Sequence, residues 1–259
     1  MAASDKQRLD LAVLNRGLAA SRQRARALIM SGKILVNRKL IDKPGVPVAD
    51  QDEILLKGDD HPFVSRGGLK LEAALRAFEV VVADKVCLDV GASTGGFTDC
   101  LLQHGARKVY AVDVGYGQLA WKLRQDPRVT VLERTNIRHL PFETVGEPVD
   151  LITIDVSFIS LRIVVPAVLQ FMNQDAAILA LIKPQFEVGK GQVGKGGVVR
   201  DPTLHQQVLE ELTAFFSRTP LSVAGVIDSP ILGPKGNKEF FIFLQRLSSD
   251  QDISNASPQ

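Results

Sequence analysis

The sequence predicts an α/β protein: a mostly parallel, doubly wound sheet preceded by a small α+β module. Three observations carry this expectation. From about residue 86, short apolar runs alternate with helix-length amphipathic segments, the pattern of parallel strands joined by crossover helices. The apolar run Val86-Cys87-Leu88 ends in Asp89 and turns at once through Gly91, Gly95 and Gly96, as a strand-to-helix turn against a ligand would. The first 45 residues carry ten Lys and Arg against Asp5, Asp10 and Asp42, a balance of +7 that leaves −5 for the rest of a chain of net charge +2. A basic head on a faintly acidic body suits a nucleic-acid docking module joined to an enzyme.

The chain has 259 residues, 45% hydrophobic and 23% charged, enough for one large domain and a small accessory one. No apolar run reaches the length of a membrane span, and the polar N-terminus does not read as a signal peptide. Cys87 and Cys100 lie in apolar settings without partner spacing, so they read as buried thiols of a cytoplasmic protein. Neither a membrane partner nor a required metal is expected, and the oligomeric state is left open.

In the head, Leu9, Leu11, Leu14 and Leu18 space a short helix closed by Gly17. Ser21 caps a second helix that carries Arg22, Arg24, Arg26, Leu28 and Ile29 and ends at Gly32. Strands come next at Lys33–Asn37 and, after a Pro-bearing connection, Glu53–Lys57. Arg22 and Arg26, four apart, share one helix face and can grip successive phosphates, although a solvated basic helix gives the same charge pattern.

In the body, strands are expected at 86–89, 108–113, 129–133, 150–155, 177–183, 222–228 and 239–245. Helices are expected near 68–78, 96–104, 117–124, 160–171 and 202–217. The last helix starts with Asp201 as cap and Pro202 at its first position, and stops before Pro220. The final two strands, with no helix between them, predict an antiparallel hairpin edge. The domain limits expected are 1–60 for the head, 61–66 for a connector, 67–248 for the large domain and 249–259 for a disordered tail.

The turn Asp89-Val-Gly-Ala-Ser-Thr-Gly-Gly-Phe-Thr is not the G-x-G-x-x-G of dinucleotide sites and holds no Lys for a triphosphate. It suits S-adenosylmethionine (SAM), whose cationic end needs no phosphate cradle. Asp113, ending the next strand, stands about twenty residues past the turn, where a carboxylate accepts from both ribose hydroxyls. The expected cofactor set is Asp89, Gly91, Ser93, Thr94, Gly95, Gly96, Phe97, Asp113, Val114 and Asp155. This constellation separates an adenosine ligand from none more sharply than SAM from NAD. Gly189 to Gly196 nearly matches a P-loop, but Gly196 replaces the metal-holding hydroxyl and Lys183-Pro184 interrupts the approach, so a Gly/Lys loop is the expectation.

Residues at the strand ends narrow the choice of methyl acceptor. After the fourth strand, Asp155-Val-Ser-Phe158 lacks the Pro-Pro-Tyr of amine methylation, and neither cysteine is placed as a carbon-5 nucleophile. Asp155, Lys183 and Glu239 remain at strand ends, with Lys70 just before the domain. Two lysines and two carboxylates in one cleft can serve a 2′-hydroxyl, a poor nucleophile that must be steered and deprotonated. For Lys183 to act as base, a neighbouring cation such as Lys70 is the expected means of favouring its neutral form.

Two resemblances sharpen this reading. Arg8-Leu9-Asp10, Gly17-Leu18-Ala19, Ser21-Arg22, Gly32-Lys33-Ile34 and Val36-Asn37 resemble the S4 RNA-binding domain over about residues 7–57. Ser65-Arg66-Gly67-Gly68-x-Lys70, the Asp89 turn, Asp113-Val-Gly-Tyr-Gly-Gln-Leu119, Leu132-Glu-Arg-Thr-Asn136, Asp155-x-Ser-Phe-Ile-Ser160, Lys183-Pro-Gln-Phe-Glu187 and Gly233-Pro-x-Gly-Asn237-x-Glu239 resemble the TlyA family. That resemblance covers nearly the whole chain. It implies an S4 domain before an FtsJ/RrmJ-like, SAM-dependent methyltransferase domain with a Rossmann-like sheet. It further implies (cytidine-2′-O)-methylation of structured 16S rRNA, 23S rRNA or both, with a catalytic tetrad on Lys70, Asp155, Lys183 and Glu239. The partners implied are ribosomal RNA or ribosomal subunits, contacted through Arg8, Arg22, Arg26, Lys33 and Arg66. The alternatives are a non-catalytic ribosome-assembly factor that holds SAM and the haemolysin that the family's other label suggests. Neither a membrane span nor a strongly amphipathic surface helix supports a pore.

Overall fold

The computed structural model describes residues 6–19, 21–56, 61–189, 191–194 and 196–247. The chain divides into two units, Met1–Pro62 and Phe63–Gln259. Lys57 of the expected head strand, Lys190 and Lys195 of the Gly/Lys loop and the expected tail 249–259 lie outside the described residues.

In the first unit, β1 (Lys6–Arg8) leads into α1 (Leu9–Asn15), and α2 (Arg22–Met30) packs on it. Ser21 accepts from the Arg24 N–H, which satisfies one of the open donors at the start of α2. β2 (Ile34–Val36), β3 (Lys39–Leu40) and β5 (Ile54–Leu56) form one small antiparallel sheet, while β4 (Pro47–Ala49) pairs with β1. Leu9, Val13, Leu28, Ile29, Ile34 and Val48 close the core. The β1–β4 ribbon was not expected, because three-residue strands carry too little alternation to be read.

The second unit is a three-layer sandwich around a seven-stranded sheet. Its elements are α3 (Gly67–Ala77), β6 (Val86–Val90), α4 (Gly96–Gln103), β7 (Lys108–Val112), α5 (Trp121–Arg124), β8 (Val129–Leu132), α6 (Phe142–Val145), β9 (Val149–Ile154), α7 (Leu161–Val168), β10 (Met172–Ile182), α8 (Pro202–Phe216), β11 (Leu221–Asp228) and β12 (Phe240–Arg246). The strand order is β11-β12-β10-β9-β6-β7-β8, parallel except for β12, which runs antiparallel to both neighbours. The expected hairpin does form that edge, with β12 inserted between β10 and β11. Side chains alternate between the faces: Ile178, Ala180 and Ile182 meet α7 and α8, while Ala177, Leu179 and Leu181 meet the side of α3 and α4.

Two expected helices are shorter than their sequence pattern. Residues 117–120 do not join α5, because Gly117 has φ +74° and its N–H donates to Glu133 Oε1 at 2.9 Å. α7 stops at Val168 and tightens into a 3₁₀ turn over Leu169–Phe171. Of the expected connector, Phe63 and Val64 pack with the second unit. The Phe63 ring fills the space that a Cβ on Gly68 would need, and the Val64 N–H donates to Asp99 Oδ2 at 2.7 Å.

Candidate active site

The glycine turn joins β6 to α4 at the carboxyl end of the sheet. Gly95 has φ +95°, and a Cβ there would lie 2.2 Å from Leu123 Cδ1, so both backbone and packing require glycine. Gly95 therefore faces the helix packing and does not line the cleft. Asp89, expected among the cofactor ligands, is also placed elsewhere. It is fully buried, accepting from Thr98 Oγ1 at 2.6 Å and Thr153 Oγ1 at 2.9 Å, and so ties β6 to α4 and β9. Burial pushes its carboxyl up to about 6, against the pull of the two threonine hydrogen bonds.

The other eight expected cofactor residues line a cleft with two lobes. The larger, about 490 Å³, is walled by Asp113, Val114, Gln118, Thr135, Asn136, Ile137 and Phe158. The smaller, about 240 Å³, is walled by Ser65, Arg66, Gly67, Lys70, Thr94, Gly96, Phe97, Leu232 and Gly233. Gly91, Ser93 and Asp155 line both lobes. Asp113 Oδ2 accepts from the Ser93 N–H at 2.7 Å and Oδ1 from the Gly115 N–H at 2.6 Å. Both oxygens are thereby aimed, and each keeps a lone pair. Sequence reasoning assigned no role to Gln118, Thr135, Asn136, Ile137 or Phe158. The one available signal was the Asn136 side chain just beyond a strand end, where its Oδ1 accepts from the Arg138 N–H.

The four expected catalytic residues form two ion pairs. Lys183 Nζ lies 2.6 Å from Asp155 Oδ1 and donates to Ser157 Oγ at 3.2 Å. Lys70 Nζ lies 2.5 Å from Glu239 Oε2, with the lysine side chain 10% exposed and the glutamate 0%. Each ammonium thus faces a carboxylate. Lys70 and Asp155 line the small lobe, and Glu239 and Lys183 are their ion-pair partners. Gly233 reaches the same lobe, and a Cβ on it would lie 2.0 Å from Glu239 Oε1.

The expected RNA-contacting residues are divided between the two units. In the first unit Arg8 and Arg22 both pair with Asp10, Arg26 is exposed one turn beyond Arg22, and Lys33 is half-buried beside β2. Arg66, in the second unit, is exposed at the start of α3 and lines the small lobe. The near-P-loop follows a 3₁₀ turn, Pro184–Phe186, and Gly194 bridges Val198, so among the described residues there no strand runs directly into a helix.

Residues 63–246 match the FtsJ-like methyltransferase family, and residues 7–54 match the S4 domain. The chain is 49% identical over 250 residues to the 16S/23S rRNA (cytidine-2′-O)-methyltransferase TlyA of Mycobacterium tuberculosis, covering 96% of this chain and 93% of that protein. The chain belongs to the TlyA family of FtsJ-like methyltransferases. Hemolysin A of Brachyspira hyodysenteriae is 41% identical, over 90% of this chain and 97% of that protein. A solved structure from Streptococcus thermophilus, provisionally called a hemolysin, is 45% identical with a TM-score of 0.73, covering 95% of this chain and 90% of that one. A SAM-dependent methyltransferase from Aquifex aeolicus, 20% identical with a TM-score of 0.50, shares the fold over 73% of this chain and 95% of that one.

Membership in the TlyA family makes this chain a methyltransferase, and the fold implies SAM as methyl donor. The TlyA-family cleft suits that donor chemically. An aimed carboxylate at Asp113 matches a ribose diol, the apolar walls of Ile137 and Val114 match an adenine, and the polar second lobe matches an amino-acid end. Among the described residues no helix is long and apolar enough to cross a membrane.

Proposed function

We propose that this chain methylates the ribose 2′-hydroxyl of cytidines in structured ribosomal RNA, in 16S rRNA, 23S rRNA or both, in the cytoplasm. The observation that carries the reading is the pair of ion pairs, Lys183–Asp155 and Lys70–Glu239, at the lobe that adjoins the nucleoside-shaped one. The substrate named for the Mycobacterium tuberculosis relative points the same way. The proposed domain limits are 1–60 for the S4 head, 61–66 for the connector and 67–248 for the methyltransferase domain.

Asp113, Ser93, Thr94, Gly91, Gly96, Phe97 and Val114 would hold SAM, with Asp155 at the boundary of the two lobes. Bound SAM supplies an electrophilic methyl on a sulfonium. Lys183 would serve as base in its neutral amine form, Nζ taking the 2′-hydroxyl proton as the oxygen–methyl bond forms and the methyl–sulfur bond breaks, while Asp155 and Ser157 fix the direction in which that amine points. Lys70, anchored by Glu239, places a second cation beside the oxygen as negative charge develops on it. The products are the 2′-O-methyl ribose and S-adenosylhomocysteine, with the proton left on Nζ.

Incubating the protein with methyl-labelled SAM and rRNA transcribed in vitro should label RNA at cytidine 2′-oxygens, mapped by alkaline-resistant linkages. Absence of label on every rRNA and ribosomal subunit tried, despite SAM binding, would leave the assembly-factor reading instead. Leakage from protein-free liposomes tests the hemolysin name carried by the Brachyspira relative.

A further inference from the structure

Asp10 is fully buried, whereas Arg8, Arg22 and Arg26 are exposed. Arg8 donates to it through Nε at 3.0 Å and Nη2 at 3.1 Å, a two-pronged fork, and Arg22 donates through Nε at 3.1 Å. The Arg8 and Arg22 side chains nevertheless remain 51% and 50% exposed. The carboxylate itself is fixed by its backbone: the Leu9 N–H donates to Val46 O at 2.8 Å and the Asp10 N–H to Pro44 O at 3.0 Å. Arg22 spends only Nε on Asp10. Among the described residues its two terminal nitrogens, and the whole Arg26 guanidinium, have no protein partner. Arg24, between them, turns the other way and donates to His61 O at 3.0 Å.

A free arginine side chain samples many rotamers and loses that freedom when it grips a phosphate. A guanidinium already held at one edge has lost it beforehand, and a planar fork has a fixed direction once one edge is fixed. We propose that Asp10 is a positioning residue for RNA binding: from beneath the surface it clamps Arg8 and Arg22 so that their outer nitrogens, together with Arg26, form a pre-set phosphate-binding face. This rests on the reading that the S4 head docks on RNA. Its consequence runs against simple charge counting. Removing one negative charge from a basic head should tighten RNA binding, whereas loss of the clamp weakens it.

The test compares the affinity of full-length variants for unmodified rRNA transcript across a salt series, at temperatures where thermal melts show the head folded. Asp10→Asn should weaken binding about fivefold or more near physiological salt, with the slope of log affinity against log salt falling by about one phosphate contact. Arg22→Lys keeps the charge and the buried carboxylate but loses the outward fork. It should weaken binding comparably, and it carries the test if Asp10→Asn does not fold. Wild-type or tighter affinity in the folded Asp10→Asn protein, or wild-type affinity in Arg22→Lys, overturns the proposal. Arg26→Ala, which gives up no side-chain hydrogen bond or ion pair among the described residues, checks the underlying reading. Lost affinity there with normal affinity in the other two sinks the clamp alone, and unchanged affinity in Arg26→Ala removes both.

Discussion

Lys183 Nζ and Asp155 Oδ1 stand 2.6 Å apart, joining the carboxyl ends of β10 and β9 across neighbouring parallel strands. The pair sets where the amine points, since Ser157 Oγ accepts a second hydrogen bond from the same nitrogen. Lys183→Ala should abolish methyl transfer, by at least a hundredfold in kcat/KM, while SAM affinity by calorimetry stays within a factor of about three. Retained turnover in that variant would remove Lys183 from the chemistry.

The second pair is a matter of stability as well as catalysis. Lys70 and Glu239 are almost wholly removed from water, so Glu239→Ala leaves an ammonium buried without its partner. Breaking such a pair from one side costs about 3–5 kcal/mol. Urea unfolding should show that loss in Glu239→Ala and a much smaller one in the double variant Lys70→Met/Glu239→Leu, with both inactive. Equal destabilisation of the two would mean that packing, not charge, dominates the site.

Gly233 should tolerate no side chain. A Cβ on it would overlap Glu239 Oε1, so Gly233→Ala must push the carboxylate away from Lys70. Overpacking of this kind costs roughly 1–3 kcal/mol. The expected outcome is a lower melting temperature together with a loss of turnover of tenfold or more, read by thermal melts and methyl incorporation.

Asp113 is aimed by two backbone N–H groups before any ligand arrives. A hydrogen bond to a charged group contributes about 1.5–3 kcal/mol. Asp113→Ala should therefore weaken SAM binding about tenfold to a hundredfold in titration calorimetry, and an unchanged Kd would move the ribose elsewhere.

Asp89 gives the fold a specific pH signature. Burial raises its folded-state value to about 6, above the ordinary value near 4 that it has when unfolded. Between about pH 4 and pH 6 the folded chain keeps a proton that the unfolded chain releases, so this group's contribution to stability falls as pH rises through that window. It is constant above it. A shift of that size corresponds to roughly 3 kcal/mol. Asp89→Asn, which cannot ionise, should gain stability relative to the wild type as pH rises from 4 to 6. A difference between the two proteins that does not change over that range would show that Asp89 ionises freely.

The sequence by itself determined the order of the strands' chemistry. Alternating apolar runs placed β6 to β12 within a residue or two, except at the start of β10. The glycine turn stood out at the carboxyl end of β6, and Asp155, Lys183 and Glu239 drew notice because each stands at a strand end, with Lys70 in the first turn of α3. What tertiary structure decided was which group meets which. Asp89 and Asp113 look alike in sequence, both ending parallel strands. The adjacent threonines Thr98 and Thr153 close over Asp89, whereas two backbone N–H groups turn Asp113 toward the cleft. Likewise Lys70 and Glu239 are 169 positions apart, and only the insertion of β12 beside β10 brings the glutamate under the lysine. Strand periodicity reports which residues are buried. Pairing across the sheet depends on register and crossover, which local spacing does not carry.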